Sequence, residues 1–193
     1  MFIILFHCRY IYGGTLSLEE HDISDVIKIL VSANELGFQE LVIYLQSFLL
    51  ENKRNWMEQN FNLIYKTSFE NDSFLELQKY CTEISTKYPD KIFQSSNFSS
   101  IPEKLLVSVI QNDNRRMSEI QVWEHVLKWG HAQNPELSTD STSLSKDDFN
   151  ILKNTLQQLI PFIKFYNLTS REFTEKVLPY KKVLPKELYK DLN

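Results

Sequence analysis

Glycine is scarce: only Gly13, Gly14, Gly37 and Gly130 occur among 193 residues. A dinucleotide-binding turn needs three glycines within six positions, so that backbone can approach a pyrophosphate. A phosphate-binding P-loop needs one at each end of a six-residue span. Neither can be assembled from these four, and glycine-punctuated β architectures such as propellers are disfavoured. Two cysteines, Cys8 and Cys81, are too few for a disulfide framework, and in apolar settings each reads as a small buried hydrophobe. The opening apolar run, Met1 to Phe6, falls far short of the ~20 residues that cross a membrane. It also lacks the charged start and small-residue cleavage site of a secretory signal. Without one, the Asn71-Asp-Ser, Asn97-Phe-Ser and Asn167-Leu-Thr sequons read as chance, and the expected location is the cytoplasm or nucleus.

Basic excess is missing too. The net charge is −4, and residues 1–52 carry two basic residues, Arg9 and Lys28, against seven acidic ones. Residues beyond 52 are nearly balanced, with 19 basic and 18 acidic. Nucleic-acid binding needs a basic face that displaces counterions, and no such face can be drawn here. The change in charge near residue 52 marks a candidate boundary.

What the chain does have is large apolar side chains: 13 Phe, 9 Tyr and 3 Trp, within an apolar fraction of 42%. That composition belongs to a folded core and not to a disordered chain. Helical spacing recurs from residue 22 onward. Ile23, Ile27, Leu30 and Val31 form one stripe, ended at Leu36-Gly37; Phe38, Leu41, Leu45 and Phe48 form the next. So short a turn between two helices predicts an antiparallel pair. One helix is expected to carry Trp56, Phe61, Ile64 and Tyr65, and another, capped by Asp72, Phe74, Leu77, Cys81 and Ile84. Ser100 and Pro102 announce a helix with Leu105, Leu106, Val109 and Ile110 inside. Ser118 caps a longer one with Trp123 and Trp129 as core anchors and Gly130 near its end, where glycine would loosen or close it. Residues 134–145 are polar and serine-rich and read as a mobile loop. Ser145 with Asp148, and Thr169 with Glu172, resemble capping boxes. Nearly everything after residue 22 thus reads as helix pairs, an all-α fold.

Chemistry is harder to find. His125 and His131 lie six apart, on diverging faces of one helix, and no metal-ligand spacing is present. His7-Cys8 carries no local signature of a thiol nucleophile. Asp147-Asp148 reads as compensation of a helix dipole in a first turn. The cluster Lys176, Lys181, Lys182, Lys186 and Lys190 is diluted by Glu175, Glu187 and Asp191 and reads as a solvated terminal helix. No catalytic residue, cofactor or metal is expected, and the chain reads as a binding or assembly module and not an enzyme.

Two pieces carry a resemblance. Arg9-Tyr-Ile-Tyr-Gly-Gly-Thr-Leu, Val26-Ile-Lys-Ile-Leu-Val-Ser-Ala-Asn-Glu-Leu and Leu41-Val-Ile-Tyr-Leu-Gln-Ser-Phe-Leu together resemble the C-terminal third of a BTB/POZ domain. Asn60-Phe-Asn-Leu-Ile-Tyr and Ser118-Glu-Ile-Gln-Val-Trp-Glu-His-Val-Leu-Lys-Trp resemble a BACK domain, the helical extension behind BTB in kelch-like and speckle-type relatives. The resemblance implies residues 1–52 as the C-terminal part of a BTB domain and 53–193 as BACK. It also implies a non-enzymatic scaffold in which BTB binds cullin-3 and BACK positions a substrate-binding domain for ubiquitination.

Against the family pattern, the N-terminal strands and dimerisation helix of BTB are missing. So is the hydrophobic–x–Glu element before the Tyr-Ile-Tyr turn, and no kelch or MATH domain follows. Cullin-3 binding is therefore expected to be weakened. The alternative is a helical interaction module, or an incomplete gene product, without it. The contact residues expected if cullin binding survives are Tyr12, beside the turn, and Trp56, Phe61 and Tyr65 along a groove; the competing reading places all four in the core. With the rest of BTB missing, Ile27, Leu30, Leu41 and Leu45 are expected to form an exposed apolar patch within residues 22–51 that drives self-association. Other proteins are the expected partners, with no nucleic acid and no membrane.

Overall fold

The computed structural model describes Leu18 and residues 22–191. The described residues contain helices and turns and no strand, so the fold is all-α. The chain divides into two compact units, 1–82 and 83–193, with the division inside one helix.

In the first unit, α1 (Ile23–Glu35) begins at Asp22, whose carboxylate accepts the Ser24 N–H at 2.7 Å. It ends at Leu36-Gly37-Phe38. Gly37 has φ +76°, a left-handed conformation that costs other residues about 1 kcal/mol or more. The turn folds α2 (Gln39–Asn52) back onto α1. Ile27, Leu30, Leu41 and Leu45 are all buried, which corrects the expectation that they would face solvent. On α1, α2 and the turn between them, the large apolar side chains left outside are Leu36, Ile43 and Tyr44. Leu41-Val-Ile-Tyr-Leu is five apolar residues in a row, and a helix can turn only part of such a run inward.

The helix expected through Trp56 and Tyr65 is two helices, α3 (Arg54–Gln59) and α4 (Phe61–Phe69). Asn60 breaks it at φ −111°, ψ 34°, and its side-chain amide donates to the Trp56 carbonyl at 3.0 Å. Such local side-chain bonds compete with helix continuation. α5 (Leu75–Lys87) starts later than a cap at Asp72 would set it, because Phe74 N–H closes a turn on the Asn71 carbonyl. Amide side chains tie this unit together. Buried Gln46 donates to the Ser73 carbonyl and accepts from Leu77 N–H, each at 3.4 Å. Asn71 accepts from Asn34 Nδ2 at 3.3 Å and donates to the Thr67 carbonyl at 2.8 Å.

The second unit contains the end of α5, α6 (Asp90–Gln94), α7 (Glu103–Gln111), α8 (Glu119–Gln133), α9 (Lys146–Leu156) and α10 (Lys186–Asp191). Three capping boxes start helical segments at Ser118, Ser145 and Thr169. The first pairs Ser118 with Gln121; the other two are the pairs expected from the sequence. Trp123 and Trp129 are both buried on α8, and their indole N–H groups donate to the Lys176 and Ile101 carbonyls at 3.1 and 3.0 Å. Gly130 does not end α8, which runs on to Gln133. A Cβ there would sit 2.7 Å from Leu156 Cδ2 and 3.0 Å from Leu152 Cδ1, so the missing side chain lets α9 approach closely.

After residue 157 the expectation of helix pairs fails. Residues 160–180 run through 3₁₀ turns, one α turn and a π turn (Phe173–Val177). Pro161 and Pro179 lack the N–H a regular helix would need there. The segment 173–184 forms a strap over α8, anchored by buried Val177, Val183 and Leu184.

Candidate functional site

Of the four residues expected at a partner contact, the three described ones are not gathered into one place. Tyr12 lies outside the described residues. Trp56, half-buried on α3, lines an open hollow of about 420 Å³ together with the contiguous stretch Glu51 to Asn55. Phe61 is fully buried and belongs to the core of its unit. Tyr65 is half-buried one turn further along α4. Its ring centroid lies 6.0 Å from Phe61 and 4.7 Å from Phe69, whose side chain is exposed. The stripe Phe61–Tyr65–Phe69 therefore runs from core to surface along one face of α4.

Charged residues frame the hollow. Lys53 Nζ lies over the Phe48 ring at 5.7 Å, and the Arg54 guanidinium lies over Tyr80 at 5.6 Å, within 3.9 Å of Glu58. These cations hold aromatic faces while their stems border the hollow, and Trp56 supplies its aromatic lining. The sequence signalled this joint only as the polar run Asn52-Lys-Arg-Asn. The ring partners Phe48 and Tyr80 come from other helices and could not be read from it.

Nucleophilic chemistry finds no support beside α4. Cys81 is buried, its Sγ 3.7 Å from Ser68 Oγ, and burial pushes its thiol up to about 12, with the Ser68 contact opposing. Such a thiol is not a thiolate at neutral pH. Burial likewise raises the Tyr65 phenol. In the second unit His125 packs against Phe93 and Phe98 with centroids 5.2 and 5.3 Å away. Burial lowers its pKa, helped by Lys128 and opposed by Glu124. Among the described residues no group of His, Cys, Asp and Glu is arranged to hold a metal, and no helix is long and apolar enough to cross a membrane.

Residues 134–145, expected as a mobile loop, are bent into hydrogen-bonded turns. Leu137 and Leu144 are buried, and Tyr180 Oη donates to the Thr139 carbonyl at 3.1 Å.

Comparison with known proteins agrees with an interaction architecture. Residues 64–147, which span α4 through the start of α9, match the family model described as BACK, "BTB And C-terminal Kelch". The chain is also 24% identical over 181 residues to BTB/POZ domain-containing protein 9 of Drosophila melanogaster. That alignment covers 91% of this chain and 24% of the fly protein, so the chain spans about a quarter of its relative's length. No solved structure matches.

Proposed function

Because the chain belongs to the BTB/POZ–BACK family, we propose that it serves as a non-enzymatic protein-interaction scaffold of the adaptor type that presents substrates to a cullin-3 ubiquitin ligase. Residues 1–52 are the C-terminal part of a BTB/POZ domain in this reading, and 53–193 are BACK. It acts in the cytoplasm or nucleus. The observation that carries the proposal is the BACK match over 64–147, because it covers the same helices that present Tyr65 and Phe69 and follow directly on the Trp56 hollow. Trp56 and Tyr65 contact the partner, since each keeps part of its ring at the surface. Phe61 supports them from the core.

A second reading is an interaction module of the same family that does not bind cullin-3. The full burial of Phe61 favours it, since one of the expected contact rings is then out of a partner's reach. Co-precipitation with purified cullin-3, run beside a full-length BTB–BACK relative, separates the two. Retention of cullin-3 by both supports the first. Retention by the relative alone supports the second.

A further inference from the structure

Tyr180 meets three rings of the second unit edge-on. Its centroid lies 6.3 Å from Trp123 at 80°, 6.3 Å from His131 at 71°, and 6.5 Å from Phe149 at 74°. With its hydroxyl bonded to the Thr139 carbonyl, it fastens the 173–184 strap to α8, α9 and the 134–145 turns at once. Beneath it, His131 has both ring nitrogens shut off from solvent, and neither has a hydrogen-bond partner among the described residues. A neutral imidazole brings one N–H donor and one acceptor into that site. An imidazolium brings two donors and a full charge, for which the surrounding rings offer no acceptor.

We propose that His131 makes the Tyr180 strap an acid-sensitive latch, closed over the neutral imidazole and opened when the imidazole is protonated. Burial holds the His131 pKa below the ordinary histidine value. The ionisable groups on the elements packed around it are placed as follows. From the turns, Asp140 accepts from the Thr142 N–H and hydroxyl, and Glu136 is exposed. From the strap, Lys182 lies over the Phe149 ring at 4.7 Å, Lys181 is exposed, and burial, with a smaller push from Asp140, raises the Tyr180 phenol. From α9, Asp148 caps Ser145, Lys146 and Asp147 are exposed, and Lys153 is half-exposed. On α8 itself, Glu124 pairs with Lys176 at 2.9 Å, and Lys128 acts on His125. With the folded pKa lowered, the open state binds the proton more readily. The stabilisation is therefore complete above the ordinary histidine pKa of about 6.5 and is lost as pH falls below it.

Hydrogen exchange on the full chain tests the latch, comparing pH 7.5 with pH 5.5 after correction for intrinsic rates. Opening of residues 137–144 and 177–184 should rise at pH 5.5 by up to about tenfold, the limit set by a free imidazole one unit below its pKa. His131→Phe should abolish that rise, and His125→Phe should keep it. Equal opening at both pH values, or a rise that survives His131→Phe, overturns the proposal. Should His131→Phe not fold, the wild-type proton spectrum decides. Tyr180 ring signals that shift in step with His131 titration support the latch. Titration of His131 with Tyr180 unmoved overturns it.

Discussion

The two units close their helix ends with different chemistry. In residues 22–82 the buried polar ties are neutral amides: Gln46 joins α2 to the start of α5, and the Asn34–Asn71 pair joins α1 to the end of α4. In residues 83–191 amides recur, Asn112 donating to the Ser85 and Thr86 carbonyls and Asn134 to Thr155, but charges and indoles are added to them. Arg115, its side chain only 5% exposed, pairs with Glu119 at 2.7 Å and donates to the Ile110 carbonyl. The other Glu119 oxygen accepts the Lys164 N–H at 3.1 Å, and Asp90 accepts the Arg116 N–H with both oxygens. A neutral tie that loses one partner leaves a desolvated amide, at about 1–3 kcal/mol. A buried charge that loses its partner costs about 3–5 kcal/mol. The second unit should therefore be the more brittle toward single substitutions, although both are built from short helices with similar apolar stripes.

Substitutions of decreasing effect can break or sharpen this contrast. Trp123→Ala removes a fully buried ring, the bond to the Lys176 carbonyl and the wall that Phe165 and Tyr180 pack against; it should cost about 3–5 kcal/mol in denaturant unfolding. Glu119→Ala strands Arg115 and the Lys164 N–H, and about 3 kcal/mol is expected by the same measurement. Gln46→Ala, its counterpart in the first unit, should cost about 1–2 kcal/mol. If Gln46→Ala proves as damaging as Glu119→Ala, the distinction between neutral and charged ties is wrong. Smallest is Gly37→Ala: nothing crowds a Cβ there, so only the φ of +76° opposes it, at about 1 kcal/mol in Tm-based stability.

Much of this arrangement is legible from residues close in sequence. Ser118, Ser145 and Thr169 start their helical segments where the capping pattern puts them, and the Leu105–Ile110 stripe is buried as its spacing requires. Gly37 sits at the turn that needs it. What escaped depends on a side-chain bond or on partners distant in the chain. The break at Asn60 follows from a local amide bond that periodicity does not reveal. The role of Gly130 follows from α9, twenty and more residues away. The chain after residue 157 carries helix-like apolar residues, yet its shape is set by Pro161 and Pro179 and by the contacts of Trp123 with Lys176 and Tyr180. The exposure of the expected contact residues was legible in part. Tyr65 and Trp56 do reach the surface, but the depth of Phe61 is a matter of packing that its place in the stripe could not reveal.

The central claim, the first of the two proposed readings, is that the surface beginning at Trp56 recruits cullin-3. Calorimetric titration of purified cullin-3 into the wild-type chain and into Trp56→Ala tests it most directly, with circular dichroism confirming that both are equally helical. Saturable binding to the wild type, weakened about tenfold or more in the variant, is the predicted result, since tryptophans dominate such contacts. Binding of equal strength to both proteins, or no binding to the wild type, would contradict it.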